Sequence, residues 1–350
     1  MRFMKLPLLT VATSRAAVLP LTSIGLGSCL ALAAGCTGAV GDGASGSGGD
    51  AGATSGDGGS AASTAAATSS GGSGAGTTSG GGGSSDAEVC QRWKDDRAAM
   101  SEGAWSGALE SCDAGDVAEP GRGNALRIVN LYRWLAALPP VSHEAGFNQA
   151  AQECALMMHK NGQLSHTPPM SWGCYSSLGA SGAGTSNIAT APGVGAVDLY
   201  MIDPGNPTTI GHRRWILSGS LGPIGLGSTS GYSCMKVLGG SGSASQSFTA
   251  WPPAGRIPFA AWNVSFQSLD ETGWTVQSES IALAGAVVSV AEDGIDRPVQ
   301  TVELMGGFGS AHALRFNPKG WQTSAGHTYH VSVSGGSSPI EYDVEVLACP

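Results

Sequence analysis

Two histidines in polar motifs are the residues of this 350-residue chain best suited to chemistry. His166 ends the motif Leu-Ser-His at residues 164–166, and His212 belongs to Gly-His-Arg-Arg-Trp-Ile-Leu at residues 211–217. An imidazole can bind a divalent cation such as zinc, activate a serine such as Ser165, or only hydrogen-bond to loop backbone. The sequence contains neither an HExxH zinc motif nor a credible nucleophile elbow. The residues alone leave these three roles open.

Helices and strands of the first half must position these histidines. A helix is predicted over residues 124–138, where apolar side chains recur at helical spacing and two prolines follow. A second helix is predicted from Ser142, a good N-cap, to Gly162, with His166 in the loop after it. The first helix is expected to bury Ile128, Leu131, Leu135 and Leu138, and to carry Arg127 and Arg133 elsewhere on its surface. Short helices at 196–201 and 208–217, then paired strands at 224–227 and 232–238, complete this part.

The order of these motifs resembles the CAP superfamily (cysteine-rich secretory, antigen 5 and pathogenesis-related proteins), in its bacterial branch. The resemblance covers about residues 120–240. It rests on residues 130–133, 138–141, 151–158, 164–166, 186–189 and 211–217. It implies a three-layer α-β-α sandwich, and so an α+β fold class.

The resemblance also implies a ligand set. The family's central cavity is lined by two histidines and two acidic residues, which correspond here to His166, His212, Asp203 and position 186. Ser186, followed by Asn187, stands where the family has its first acid, so one carboxylate is lost. Because a hydroxyl is a weak neutral ligand and carboxylates also orient imidazoles, we expect His166 and His212 to bind zinc weakly or not at all.

The N-terminus predicts export. Residues 1–35 combine exclusively positive charges with an apolar stretch, which is typical of a signal peptide. The small residues before Cys36 predict a lipoprotein acylated on that cysteine, with plain secretion after cleavage near Ala34 as the alternative. Residues 36–87 are almost entirely Gly, Ala, Ser, Thr and Asp, so we expect a disordered tether. The protein would then be an outer-membrane or cell-surface lipoprotein, held to the membrane through Cys36.

The net charge of −9 argues against a nucleic-acid partner, and the oligomeric state is left open. Residues 88–245 are expected to form the CAP-like domain with an N-terminal disulfide loop, and residues 246–350 a β domain. After a proline-rich connector at 251–258, short alternating runs predict strands at 262–266, 281–290, 300–304, 313–316, 329–333 and 342–347. Their number and spacing favour an immunoglobulin-like sandwich, a type of domain that usually binds a partner or acts as a spacer.

Six cysteines lie in the part predicted to fold, which in an exported chain indicates three disulfides. Several pairings are possible. Short local loops favour Cys90–Cys112 and Cys154–Cys174, which leaves Cys234–Cys349.

Three functions fit these observations. The first is a binding protein for a small apolar or lipid ligand, or for a partner protein, at the two histidines. The second is a structural or adhesive surface protein with a vestigial cavity. The third is a hydrolase, either weakly metal-assisted or with Ser186 or Ser165 attacking under histidine activation.

Overall fold

The structure, a computed structural model, describes residues 84–350. The predicted signal peptide, Cys36 and nearly all of the predicted tether lie outside these residues. No helix within residues 84–350 is long and apolar enough to cross a membrane.

Helices dominate the first part of the described chain, and they surround a small antiparallel sheet of order β1-β3-β2. The helices are α1 (Asp86–Asp96), α2 (Gly121–Leu135), α3 (Ala145–Asn161), α4 (Ser177–Ala183), α5 (Gly193–Ile202) and α6 (Gly211–Ile216). The strands are β1 (Ser186–Ala189), β2 (Gly225–Ser228) and β3 (Ser233–Lys236). The predicted pairing of the last two strands is confirmed, with Leu226 opposite Met235.

The α2 helix confirms its apolar stripe but corrects one surface assignment. Ile128, Leu131, Leu135 and Leu138 are all buried. Arg133, expected on the surface, is buried as well: its guanidinium donates to the carbonyl oxygens of Pro139, Ile216 and Ser218 at 2.7–2.9 Å. Carbonyl oxygens at helix ends lack intrahelical partners. The buried guanidinium donates the hydrogen bonds that these oxygens need, and its own N–H groups gain acceptors in return.

The predicted N-cap of the next helix is wrong by two residues. Ser142 pairs with Ile224 as extended backbone, since the Ile224 N–H donates to the Ser142 carbonyl at 2.9 Å. The α3 helix therefore begins at Ala145 after Glu144, and it ends as predicted at Gly162, whose backbone is left-handed (φ 61°). The helix α1 begins at Asp86, so the last two residues of the predicted tether (36–87) belong to a helix instead.

The second part is β-rich. Its strands are β4 (Thr249–Trp251), β5 (Gly255–Pro258), β6 (Trp274–Ser278), β7 (Val287–Glu292), β8 (Ile295–Arg297), β9 (Val299–Glu303), β10 (His312–Pro318), β11 (Thr328–Ser334) and β12 (Ile340–Leu347). They form a four-stranded sheet, β4-β6-β10-β9, and a five-stranded sheet, β5-β12-β11-β7-β8. The immunoglobulin-like arrangement stays a prediction.

One predicted strand is absent, and one observed strand was not predicted. Residues 262–266 are not a strand: Trp262 ends a 3₁₀ helix (Phe259–Trp262), and its indole packs in the core. The strand β6 was not predicted, although apolar Trp274 and Val276 alternate in it with polar Thr275 and Gln277; all of its residues are buried, the polar ones included. The predicted connector at 251–258 is the crossing between the two sheets, with β4 before it and β5 inside it.

One hydrophobic core runs through both parts. Tyr132 of α2 packs edge-on against Trp251 of β4, with ring centroids 5.4 Å apart. The fully buried Arg213 of α6 donates to the Gly273 carbonyl at 2.6 Å, just before β6. The helical part and the β part therefore share packing and hydrogen bonds.

The three disulfides are confirmed in number, but every predicted pairing is wrong. The bonds are Cys90–Cys349, Cys112–Cys174 and Cys154–Cys234. Nearness in sequence misled the prediction, because β12 returns beside β5 and brings the chain end to α1. Since the entropy of loop closure grows only slowly with loop length, long-range pairings are not disfavoured.

Candidate functional site

An open cavity of about 240 Å³ lies where the first sheet, α6 and a loop of the β part meet. His166 and His212, which are 46 positions apart in the sequence, both line it. Ser186 and Asn187 of β1 line it too. Of the five predicted cavity residues, the structure thus brings four to one wall.

His166 lies in the loop between α3 and α4 and is exposed. Its Nδ1 lies 2.9 Å from the carbonyl oxygen of Ala183, the last residue of α4. A carbonyl can only accept, so Nδ1 carries the proton and Nε2 keeps a lone pair. The backbone contact thus fixes the ring tautomer.

Asp203 lies behind His212 and does not line the cavity, which corrects the predicted placement. Its side chain is completely buried, and Oδ1 accepts from His212 Nδ1 at 2.8 Å. Oδ2 accepts from the backbone N–H of His212 at 2.9 Å, and Asn206 Nδ2 donates to Oδ1 at 2.6 Å. The carboxylate therefore holds the ring in the tautomer whose Nε2 is free to accept a hydrogen bond.

Asn187 and Tyr200 support the same ring from the other side. The Asn187 amide donates to the His212 carbonyl at 3.1 Å, and the Tyr200 hydroxyl donates to the Asn187 carbonyl at 3.2 Å. The Tyr200 ring lies 5.1 Å from the imidazole. Burial raises the pKa of Tyr200, so its phenol stays neutral and positions His212 through packing.

Ser186 occupies the position of the missing acid and has an unusual environment. Its side chain is 5% exposed, and within residues 84–350 its hydroxyl has no hydrogen-bond partner. Buried hydroxyls are usually paired, because an unpaired one costs about 1–3 kcal/mol. Because the Oγ atom is almost inaccessible to solvent, a ligand atom would gain this partner only after a small movement of the Ser186 side chain.

The backbone next to His212 is strained. Ile210, which is 1% exposed, has φ 43° and ψ 43°, a conformation that β-branched residues rarely adopt. Such strain costs of order 1–3 kcal/mol and tends to occur at functional sites. Here the strained residue precedes Gly211 and His212, so it sets the direction in which α6 enters the cavity wall.

The side chains present do not fit a zinc site with three protein ligands. Both oxygens of Asp203 are already hydrogen-bonded, and its carboxylate is shielded by His212. Among the residues the structure describes, no group of three or more His, Cys, Asp or Glu side chains could hold a metal ion. His166, His212 and Ser186 offer two imidazole nitrogens and one neutral hydroxyl, a set better suited to hydrogen bonding than to a cation.

Sequence reasoning missed the residues that complete the cavity. Trp215 of α6 and Phe308 of the β part line it, and so does Leu238 after β3. Trp215 belongs to a motif that was noticed, but Phe308 stands between glycines in a strand connection and carries no pattern of its own.

Comparison with known proteins is consistent with this geometry. Residues 126–238 match the family model described as CAP, the cysteine-rich secretory protein family. That segment contains most of α2, the helices α3 to α6 and the first sheet, and so includes every predicted cavity residue. No curated protein and no solved structure matches the chain significantly.

Proposed function

Because residues 126–238 form a CAP domain, we propose that this protein is an exported binding protein that holds a small amphipathic ligand in the cavity between His166 and His212. The observation that carries the proposal is that His166 and His212, each with an Nε2 free of hydrogen bonds within residues 84–350, line one open cavity beside Ser186, whose buried hydroxyl is unpaired. A ligand with a polar head would pair all three groups.

The shape and lining of the cavity favour a compact ligand. Drug-sized ligand sites have roughly 300–1,000 Å³, and this cavity has about 240 Å³. Its polar groups lie beside the apolar surfaces of Trp215, Phe308 and Leu238. A molecule with one polar end and a short apolar body matches this lining better than a long lipid chain, of which only one end would enter.

The alternatives are less well supported. A vestigial cavity would be filled by side chains, whereas this one is open. For a hydrolase, the serine should bond to its base, but Ser186 Oγ makes no hydrogen bond within the described residues. Ser165 Oγ instead accepts from the Thr167 N–H at 3.1 Å, which turns it into a loop-stabilising group.

Export and anchoring through Cys36 are part of the proposal. They are supported by the apolar N-terminus and by three disulfides, which persist in oxidising compartments. The expected result is that the mature protein partitions with membranes and that Cys36→Ser releases it. Equal partitioning of both proteins would refute the anchor and leave the cavity proposal standing.

Thermal unfolding of the full chain tests the cavity. Benzyl alcohol, benzamide and cyclohexanol serve as probes, because each joins a hydrogen-bonding head to a compact apolar body. At a concentration of about 100 Kd, a probe that binds only the folded state stabilises it by roughly 2.7 kcal/mol, which raises the Tm. His212→Ala should abolish the rise, whereas His330→Ala, an exposed histidine paired with Asp343 on the β part, should retain it. A Tm that no probe raises, or a rise that survives His212→Ala, would reject the proposal.

A further inference from the structure

A loop of the β part forms one wall of the cavity. This loop, residues 304–311, joins β9 to β10 and is called here the Phe308 loop. Its residues Gly307 and Phe308 line the cavity together with the two histidines of the CAP domain. The site is therefore built from both parts of the chain, although the sequence pattern placed it in one of them.

The Phe308 loop is fixed to the CAP domain by Arg214, the residue two positions after His212. The guanidinium is fully buried and donates to the carbonyls of Met305 at 2.6 Å and Ser310 at 3.0 Å. It also donates to Ser310 Oγ at 2.9 Å and to the Thr209 carbonyl at 3.0 Å. Hydrogen bonds from a charged donor are the stronger kind, so the loop is held at both of its ends.

Two glycines let the loop approach this closely. A Cβ on Gly211 would lie 2.8 Å from Phe308 Cδ1, so the ring packs directly against the backbone that precedes His212. Gly309 has φ +73°, and a Cβ there would lie 2.4 Å from the Arg214 carbonyl oxygen. The position of the Phe308 ring is thus determined by contacts that no larger residue at 211 or 309 would allow.

We propose that Phe308 is the specificity-determining residue of this site: its ring closes the apolar end of the cavity, limits access to His212, and restricts ligands to compact ones that carry a hydroxyl or amide donor. We expect the ligand to carry a hydrogen-bond donor, because the free Nε2 lone pairs of the two histidines accept hydrogen bonds. We expect the apolar body of the ligand to be compact, because the side chains of Phe308 and Trp215 would block a longer one. The ligand class rests on the proposed function, whereas the control of access to His212 does not.

The access claim is tested by chemical modification of the full chain without any ligand. Diethyl pyrocarbonate acylates unprotonated imidazole nitrogens, and peptide mass mapping gives the rate at His212 relative to His330 as an internal standard. Because an aromatic side chain covers roughly 150–250 Å², Phe308→Ala should raise the His212 rate severalfold, and Phe308→Trp should lower it. Met305→Ala is the matched control: it lies in the same loop, its side chain is 60% exposed, and only its carbonyl contacts Arg214. An unchanged rate in both Phe308 variants would overturn the claim.

The ligand claim is tested by a size series. Affinities for benzyl alcohol, 3-phenylpropanol and 2-naphthylmethanol are measured by ligand-observed NMR for the wild type and Phe308→Ala. We expect the wild type to prefer benzyl alcohol and the variant to shift its preference to 2-naphthylmethanol, with Met305→Ala resembling the wild type. An unshifted order would refute the role of Phe308 in selection. Failure of the wild type to bind any probe would instead refute the proposed function, while the modification rates would still decide the access claim.

Discussion

The disulfide Cys90–Cys349 joins the first described helix to the end of the chain. It closes a loop of 259 residues, which includes almost the whole folded part, whereas Cys112–Cys174 closes 62 residues. Both bonds lie near the surface, so replacing them removes little packing. They therefore form a matched pair in which loop length is the main difference.

The difference in stabilisation follows from chain entropy. The loop-closure relation gives about 5.6 kcal/mol for 259 residues and about 4.3 kcal/mol for 62 residues, at the upper end of what single disulfides contribute. The long bond should therefore stabilise the fold by about 1.3 kcal/mol more than the short one. The third bond is unsuitable for this comparison, because Cys154 and Cys234 are buried in the core and their removal would also disturb packing.

Equilibrium unfolding in urea measures both quantities. The double variants Cys90→Ser/Cys349→Ser and Cys112→Ser/Cys174→Ser leave no unpaired thiol within residues 84–350. The free energy of each is extrapolated with its own m-value, because removing a cross-link opens the unfolded chain. The decisive result is which of the two disulfides, when removed, lowers the free energy of unfolding more. If loss of the short disulfide destabilises the fold more than loss of the long one, the entropic argument is wrong for this protein, and native-state contacts of the bonds must dominate.

Three further predictions concern buried polar groups. Asp203→Asn should destabilise the fold by about 1–3 kcal/mol in urea, since an amide cannot accept every bond that Asp203 accepts, and should change the His212 tautomer seen by ¹⁵N NMR. Arg213→Met should cost about 3 kcal/mol or more, because it leaves the carbonyls of Met201, Ile202 and Gly273 unpaired; a cost below about 1 kcal/mol would contradict this. Burial lowers the pKa of His159 below 6.5, so the unfolded chain takes up the proton first and stability is lost as pH falls through 6.5. His159→Phe, which keeps the stacking on Tyr232, should therefore flatten that acid limb in pH-dependent melting, and an unchanged limb would contradict the assignment to His159.

The sequence allowed the two longest helices, α2 and α3, to be predicted, whereas α1 and α4 were not. The apolar stripe of α2 and the glycine that ends α3 each depend on residues close together in the sequence. They can therefore be recognised without knowledge of the tertiary structure. His166 and His212 were assigned to one cavity only through the family resemblance that the order of motifs carries. Asp203 was identified as the partner carboxylate, but its place behind the ring depends on the left-handed backbone at its own position, which no pattern indicates.

The remaining features depend on contacts between distant segments. The strand β6 alternates apolar and polar residues, yet both of its faces are covered, because Gln277 on its polar face donates to the carbonyls of Arg214 and Leu217. Arg133 looked like a surface residue, since charged side chains usually are, and its three carbonyl partners come from two separate turns. Pairings of this kind are determined by the assembled fold, so neither spacing nor composition reveals them.

The tandem arginines after His212 explain why the β part belongs to the site. Arg213 binds the segment before β6, and Arg214 binds the Phe308 loop, so α6 is attached to the β part on two sides. A six-residue helix has little stability of its own, because helix nucleation is unfavourable and few of its hydrogen bonds lie within it. The direction of His212 therefore depends on two buried charges whose partners come from the helical part and the β part together. It follows that changes in the β part far from the cavity should shift the position of His212, and with it the ligand binding that we propose.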